Sequence, residues 1–206
     1  MFLLLESICW NNGEMPLLGL HLNRMNTSRK KLLHITDPIT LPLKLEPPSN
    51  LNKKWKLRVL YSRKIEKIEW IPYTKVNPQK ILVLNPGPLS YCHKFADRKQ
   101  FNLLKSQYPG FDDYLILQDG KLTDGSYSNI LLKIKGEWIT PSTPLLKGVR
   151  REALITSGQI TEKLILEKDL LMASEIKLIN AMLPFEDAIV VQPNMLFFQN
   201  RKKANS

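Results

Sequence analysis

The sequence predicts a mixed α/β protein with mainly antiparallel strands, and three observations support this. Segments 55–61 and 64–73 alternate apolar and polar residues, which is typical of half-buried strands. Segment 17–35 spaces its apolar residues as a helix does. Turn pairs such as Asp119-Gly120 separate later strands by only a few residues, which favours antiparallel hairpins. The chain has 206 residues, of which 43% are hydrophobic, so it can bury a core without disulfide or metal cross-links.

The first half is predicted to contain a helix followed by strands. An apolar segment, residues 2–10, ends at the turn formed by Asn11-Asn12-Gly13. The helix predicted over 17–35 carries Arg24. Four prolines within 38–50 predict an extended loop. Strands are then expected at 55–61, 64–73 and 81–84.

The strongest break in the chain is Asn85-Pro-Gly-Pro88, which predicts two domains, residues 1–86 and 87–206. A helix is expected over 95–108, and a second one over 147–157, closed by Gly158. Strands are predicted between Asp113 and Ile139, with turns at Asp119-Gly120, Asp124-Gly125 and Gly136, and again at 176–180 and 188–191. The basic tail, 201–206, is predicted to be frayed.

The net charge of +11 is unevenly distributed, because residues 1–93 carry 14 Lys and Arg against 6 Asp and Glu. A basic half can attract nucleic acid, a membrane or a small anionic ligand. The basic residues are scattered and do not interleave with aromatic ones, so we expect neither nucleic acid nor membrane as partner. Cys9 and Cys92 have no metal or disulfide-framework spacing, and the opening residues make a poor secretory signal. A cytoplasmic protein is expected.

Four segments carry candidate chemistry, although each alone has an ordinary structural interpretation. Lys94 precedes apolar Phe95 and Ala96, and partial desolvation would lower the pKa of such a lysine and favour a nucleophilic amine. On that evidence a surface lysine is the simpler interpretation. The polar segment 122–130 could equally be a hairpin turn, 143–152 an anion-binding or ordinary helix start, and 179–184 a capped turn.

In this order, the segments resemble the class IV aminotransferase family, which binds pyridoxal phosphate in the fold called type IV. The resemblance runs from Leu4-Leu-Glu-Ser-Ile8 and His21-Leu-Asn-Arg24 through Lys94 to the later motifs. These are Leu122-Thr-Asp-Gly-Ser-Tyr-Ser-Asn129, Gly148-Val-Arg-Arg151 and Ile179-Asn-Ala-Met182. Within the family, the ending Asn-Ala-Met-Leu-Pro is most similar to that of the lyases of 4-amino-4-deoxychorismate.

The resemblance implies a role for each matching residue. Lys94 would hold the cofactor as a Schiff base and then act as acid and base at the substrate. Asp124, where the family usually has Glu, would pair with the pyridine nitrogen. Arg24 would bind the cofactor phosphate. The remaining cofactor contacts would come from Ser128, Asn129, Gly148, Val149, Arg150, Asn180 and Ala181, with Arg150 replacing the usual Thr.

The resemblance also implies an architecture and a reaction. The fold would be α/β with two domains, as in D-amino-acid aminotransferases: a smaller N-terminal domain and a barrel-like C-terminal one, with the cofactor between them in a homodimer. The substrate would be a small anionic amine, cleaved to pyruvate and 4-aminobenzoate in folate biosynthesis. Alternatives are an aminotransferase for branched-chain or D-amino acids and a cofactor-less, non-enzymatic homologue. Three arginines, Arg58, Arg63 and Arg98, remain unranked candidates for binding the substrate carboxylate.

Overall fold

The computed structural model describes residues 2–42, 45–48 and 53–199. The predicted tail, 201–206, lies outside these residues. Contacts divide the chain into two compact units, residues 1–75 with 93–97 and residues 76–92 with 98–206. The units are interleaved along the chain, so no single residue number separates them. Within the described residues, no helix is long and apolar enough to cross a membrane.

The first unit is an antiparallel three-stranded sheet with one long helix. The sheet has the order β1 (Leu4–Trp10), β2 (Trp55–Tyr61) and β3 (Ile65–Pro72). The helix, α1, is Leu18–Leu33, close to the predicted 17–35. Every second residue of β2 is buried, because one face of the sheet packs into the core. That core contains Leu4, Ile8, Met25, Leu57, Val59 and Tyr61.

Among its described residues, the second unit contains two sheets and two α-helices, with short 3-10 helices at Glu167–Leu171 and Pro193–Met195. One sheet has the order β12-β4-β5-β6, in which β4 (Ile81–Leu84) runs parallel to both β5 (Asp113–Gln118) and β12 (Leu196–Phe198), and β6 is Lys121–Gly125. The other has the order β11-β10-β7-β8-β9, with these bounds: β7 Asn129–Ile134, β8 Glu137–Pro141, β9 Thr161–Lys163, β10 Glu175–Ile179 and β11 Ile189–Val191. The helices are α2 (Lys99–Gln107) and α3 (Val149–Thr156). Both sheets contribute to one apolar core.

The mixed α/β class is confirmed, but the barrel-like second half is not. Among the described residues, the strands of this half form two open sheets rather than a closed barrel. The helix predicted from residue 95 begins only at Lys99, because Phe95 instead pairs with Leu4 at the edge of β1. Asp124-Gly125, predicted as a turn, ends strand β6, and the turn follows it at 126–128.

Candidate active site

Lys94 lies in an extended segment at the edge of the first sheet. Its carbonyl accepts a hydrogen bond of 2.8 Å from the backbone N–H of Leu5, and Phe95 forms a β-bridge with Leu4. The residue is half-buried. The N–H of Ala96 donates a second bond to the carbonyl of Leu3. The two backbone hydrogen bonds to β1 therefore fix the backbone position from which the Lys94 side chain extends.

A fully buried carboxyl, Glu6, lies on β1 one residue from Leu5. Arg24 donates to both of its oxygens, from Nε at 2.8 Å and from Nη2 at 2.5 Å. Nδ1 of His21 lies 2.7 Å from the same carboxyl. His21 and Arg24 are three residues apart on α1, so both point from one helix face toward β1. The three side chains form a compact cluster, called here the glutamate cluster.

Charge decides the protonation of the glutamate cluster. Burial alone would raise the pKa of Glu6. The positive charge of Arg24, with hydrogen bonds from His21 and Arg24, outweighs that effect and lowers the pKa to about 2. Burial lowers the pKa of His21, so the imidazole is neutral at pH 7. The cluster therefore holds an ionised Glu6 beside a cationic Arg24, which orients the arginine within the first unit.

A second buried carboxyl, Asp124, lies at the end of β6 in the second unit. Its Oδ1 accepts a hydrogen bond of 2.7 Å from Nδ2 of Asn129, the first residue of β7. Its Oδ2 accepts one of 2.8 Å from the backbone N–H of Leu146. Asn129 also donates to the carbonyl of Leu146 at 2.8 Å. The carboxyl thus ties the β6–β7 connection to the loop that precedes α3, forming what we call the aspartate cluster.

Unlike Glu6, Asp124 is a weak acid. Burial raises its pKa to about 7, although the hydrogen bonds from Leu146 and Asn129 and the charge of Arg151 act in the opposite direction. Arg151 does not donate to Asp124 directly, since its Nη2 donates to the carbonyl of Pro141 at 2.8 Å and to Glu162. The carboxyl therefore lacks a cation in direct contact among the described residues.

The start of α3 lies against the aspartate cluster. Gly148 is the residue before the helix, and a Cβ atom at this position would overlap the side-chain oxygen of Asn129. Only glycine allows this approach. Among the described residues no side chain caps the helix start, and the first intrahelical bond is donated by Glu152 to the carbonyl of Gly148. Val149 and Arg150 are thus the first residues of the helix, where backbone N–H groups favour an anion.

The turn between β6 and β7 is held from several sides. The N–H of Gly125 donates to the carbonyl of Ser128 at 2.8 Å, and the Ser128 hydroxyl is buried with no partner among the described residues. Arg98 donates to the carbonyl of Ser126 at 2.6 Å. Its guanidinium also lies 4.2 Å from the ring centroids of both Phe101 and Tyr127. Arg98 therefore has a structural role in positioning this turn.

Asn180 lies directly after β10, beside the start of β7. Ile179, the last residue of β10, is paired with Asn129 in the sheet, so the residues that follow the strand, Asn180 and Ala181, lie next to the β6–β7 turn. The side-chain oxygen of Asn180 accepts a hydrogen bond of 2.9 Å from the N–H of Met182, which fixes the turn. The register thus places Asn180 and Ala181 beside Asn129, at the end of the sheet where β10 finishes and β7 begins.

The structure thus gathers the candidate residues into two groups, one in each unit. In the first unit, Arg24 belongs to the glutamate cluster, while Lys94 lies at the edge of β1. The second unit brings together Asp124, Ser128, Asn129, Gly148, Val149, Arg150, Asn180 and Ala181 at or beside the aspartate cluster. Glu6 and His21 were not among the predicted site residues. Their signal in the sequence was the spacing of His21 and Arg24, which places both on one helix face.

Comparisons with known proteins define the family. A sequence model of the family described as Amino-transferase class IV matches residues 3–185 of the chain. An uncharacterized protein of Haemophilus influenzae is 30% identical over 190 residues, which cover 88% of this chain and 98% of that protein. A putative aminodeoxychorismate lyase of Schizosaccharomyces pombe is 28% identical over 218 residues, covering 95% and 93% of the two chains.

Solved structures share the fold. The crystal structure of a putative 4-amino-4-deoxychorismate lyase from Haemophilus somnus has a TM-score of 0.72 and 27% identity, covering 88% of this chain and 97% of that one. A hypothetical aminotransferase from Mycobacterium tuberculosis, in its PLP-bound form, has a TM-score of 0.71 and 18% identity, covering 95% and 81%. At that identity the second likeness concerns the fold.

The fold and the family match define a pyridoxal-phosphate-dependent enzyme. The chain belongs to the class IV aminotransferase family, as its motifs predicted. The family spans several reactions on amines, so the reaction is a separate question.

Proposed function

We propose that this enzyme is a lyase that cleaves 4-amino-4-deoxychorismate to pyruvate and 4-aminobenzoate. The relatives described as putative aminodeoxychorismate lyases support this reaction, as does the segment Asn180–Pro184. One structural observation supports the proposed position of the cofactor: the carboxyl of Asp124 is buried and hydrogen-bonded.

The residues of the aspartate cluster fit a pyridine ring. Asp124 is buried among neutral donors, and burial raises its pKa to about 7, with no cation in direct contact among the described residues to offset this effect. A protonated ring nitrogen would supply the missing positive charge and would favour the ionised carboxylate. Each carboxylate oxygen has two acceptor positions, so the hydrogen bonds from Asn129 and Leu146 leave capacity for another donor. Asp124 would thereby keep the ring nitrogen protonated.

The start of α3 fits the cofactor phosphate. Gly148 allows the helix to approach Asn129, and the amides of Val149 and Arg150 provide donors at a helix start. Asn180 and Ala181 would complete the set of residues around the phosphate. Arg24 is proposed as a further ligand of the phosphate, since its two hydrogen bonds to Glu6 orient the guanidinium.

Lys94 would bind the cofactor covalently and then transfer a proton. Pyridoxal phosphate, when bound, supplies an electron sink for the bond that breaks. The lysine amine would take the ring proton of the substrate as the enolpyruvyl group leaves. The six-membered carbon ring of the substrate becomes aromatic in this step, which drives the reaction toward 4-aminobenzoate. The backbone hydrogen bonds of Lys94 and Ala96 to β1 hold the backbone that carries this side chain at a fixed point of the sheet.

The first test is the cofactor link. Purified protein with pyridoxal phosphate should show a visible absorbance band that borohydride abolishes, leaving the cofactor covalently attached. Lys94→Ala should lack the band while retaining its circular dichroism spectrum. Lys64→Ala is the matched control, since Lys64 is an exposed lysine of the same unit. A band in Lys94→Ala equal to that of the wild type would contradict the assignment of the lysine.

The second test is the product. A lyase releases pyruvate from 4-amino-4-deoxychorismate without an amino acceptor, which lactate dehydrogenase coupling would detect. An aminotransferase would require 2-oxoglutarate and would convert the cofactor to its amine form. Cofactor-loaded protein that releases no pyruvate would refute the lyase, and acceptor-dependent turnover would establish the alternative.

A further inference from the structure

Lys94 occupies the central position of a tight backbone turn. The N–H of Phe95 donates a hydrogen bond of 2.8 Å to the carbonyl of His93, two residues earlier. A bond between residues i and i+2 defines a γ-turn. The N–H of Leu5 donates to the carbonyl of Lys94 itself, which attaches the turn to β1. The turn therefore sets the direction in which the Lys94 side chain extends from the backbone.

The side chain of His93 attaches the same turn to α1. Its Nδ1 lies 3.3 Å from the hydroxyl of Ser28, which is buried. Ser28 follows Arg24 by four residues and His21 by seven, so all three lie on one face of the helix. The helix face that supplies the two basic residues of the glutamate cluster therefore also holds the residue before Lys94.

The amine of Lys94 lies near the glutamate cluster. Burial is the main cause of the lowered pKa of His21, and the positive charge of Lys94 acts in the same direction. Charges act on each other most strongly at short range and away from water. The contacts of the turn with β1 and with α1 therefore direct the Lys94 side chain toward these buried polar groups.

The ring of His93 is packed in place and uncharged at pH 7. It lies 6.1 Å from the ring of Phe95, in an edge-to-face arrangement. Phe95 in turn packs against the core of the first unit. Burial, followed by the charge of Lys31, lowers the pKa of His93. The imidazole can therefore bond to Ser28 without adding a positive charge beside Lys94.

We propose that His93 is a positioning residue, whose hydrogen bond to Ser28 holds the turn so that the Lys94 amine meets the cofactor aldehyde. This rests on the proposed function, because it takes Lys94 as the residue that binds pyridoxal phosphate covalently. A lysine amine is carried on a flexible four-carbon stem, so its placement depends on the backbone from which it extends. Misplacing a reacting group by about 1 Å can slow a reaction severely. The bond should therefore affect how fast Lys94 reacts more than how tightly the other residues bind the cofactor.

The test separates the reaction of Lys94 from binding of the cofactor. The rate at which the borohydride-sensitive band forms, after cofactor-free protein is mixed with pyridoxal phosphate, reports on Lys94. The dissociation constant of pyridoxamine phosphate reports on the other contacts, because its amine cannot form the link. His93→Phe should slow band formation about tenfold and change this dissociation constant about twofold or less. His93→Asn should recover most of the rate, because its amide offers a hydrogen-bonding atom at the position of Nδ1.

Ser28→Ala is the matched change at the other end of the bond. It should slow band formation by a similar factor. The double variant should be no slower than either single variant, because both changes remove the same interaction. Ser106→Ala is the control, since Ser106 is an exposed serine that bonds to the carbonyl of Leu103 in α2, and it should match the wild type.

The outcomes distinguish this inference from the proposed function. Unslowed band formation in His93→Phe, or slowing that adds up in the double variant, would overturn the positioning role. Weaker binding of pyridoxamine phosphate that accounts for the slowing would mean general damage to the unit, and would overturn it too. Wild-type protein that forms the link at Lys94 but releases no pyruvate would refute the lyase and leave the role of His93 intact. Wild-type protein without the link would refute both proposals.

Discussion

Two fully buried carboxyls, one in each unit, have opposite acid strengths. Glu6 in the glutamate cluster has a pKa lowered to about 2, whereas Asp124 in the aspartate cluster has one raised to about 7. Both are buried, and both accept at least two hydrogen bonds. The difference lies in the charge of the donor. A guanidinium contacts Glu6, while an amide and a backbone N–H contact Asp124.

The comparison shows what each carboxyl is suited to do. Burial removes water from both carboxyls, and a cation in direct contact stabilises the charged form more than neutral hydrogen-bond donors do. Glu6 already has its cation and holds Arg24 in a fixed orientation. Asp124 has no cation in direct contact among the described residues, so a cationic ligand would gain more binding free energy at Asp124 than at Glu6. This is the physical basis for assigning the ring nitrogen of the cofactor to Asp124.

The largest expected effect comes from breaking the charged cluster. Glu6→Gln leaves Arg24 beside a neutral amide, so the free energy of unfolding should fall by about 3 kcal/mol at pH 7. Because the pKa of Glu6 is lowered from 4.5 to about 2 on folding, its stabilising contribution is complete above pH 4.5. It is lost as the pH falls toward 2. Urea denaturation at several pH values should therefore show the difference between variant and wild type closing over this range.

Glu137→Gln provides the control for that measurement. Glu137 is an exposed carboxylate paired with Lys163 at 2.7 Å, and its removal should not change stability measurably. Equal losses in Glu6→Gln and Glu137→Gln would show that burial of the glutamate cluster contributes nothing.

The second effect is that Asp124 makes stability depend on pH in the direction opposite to Glu6. Its folded pKa of about 7 exceeds the ordinary value of 3.8 for an aspartate, so the protonated carboxyl favours folding below pH 3.8, and this contribution declines as the pH rises through 7. Between pH 5 and 8, the stability of cofactor-free wild type relative to Asp124→Asn should fall by about 2–3 kcal/mol. Thermal or urea unfolding of both proteins would measure this.

Pyridoxal phosphate sharpens the same experiment. If the ring nitrogen binds at Asp124, saturating cofactor should flatten the difference between wild type and Asp124→Asn, because a cation in contact lowers the pKa of the carboxyl. A slope that persists with cofactor bound would place the cation elsewhere. A flat slope in the cofactor-free protein would contradict the raised pKa itself.

Local patterns in the sequence predicted most elements but missed those that depend on distant pairing. The alternation in 55–61 predicted β2 correctly, since every second residue faces the core. The helix predicted over 95–108 includes Phe95, yet this residue pairs with Leu4, 91 positions earlier in the chain. Likewise β12, whose three residues pair with β4, carries too short a pattern to be recognised.

The same limit applies to the candidate site. The residue types of segment 122–130 fit a hairpin turn equally well, and only the family resemblance predicts Asp124 and Asn129 as site residues, whose side chains contact each other. The donor from Leu146 is a backbone N–H brought in by a loop 22 residues away, which no residue type encodes. The pairing of Glu6 with Arg24 likewise depends on how α1 packs on β1. The sequence identifies the carboxyl groups, but their pKa values depend on the packing that surrounds them.

The third effect tests the glycine in the aspartate cluster. Gly148→Ala places a methyl group where the side chain of Asn129 lies, so Asn129 must move and its bond to Asp124 is strained. Overpacking of this kind should lower the free energy of unfolding by about 1–3 kcal/mol. Urea denaturation would measure it, and the affinity for pyridoxal phosphate should fall as well. Unchanged stability and affinity would show that the cluster adapts without cost.

The smallest effect, and of opposite sign, is expected at the matched glycine of the first unit. Gly19 lies in the first turn of α1, is exposed, and has no atom within 4 Å of the position of an added Cβ. Gly19→Ala should therefore raise the free energy of unfolding by about 0.5 kcal/mol, because alanine loses less backbone freedom in a helix. The added methyl group would touch no atom of the glutamate cluster, so cofactor binding should not change. A loss of stability here as large as that of Gly148→Ala would mean that the contact with Asn129 is not what makes Gly148 necessary.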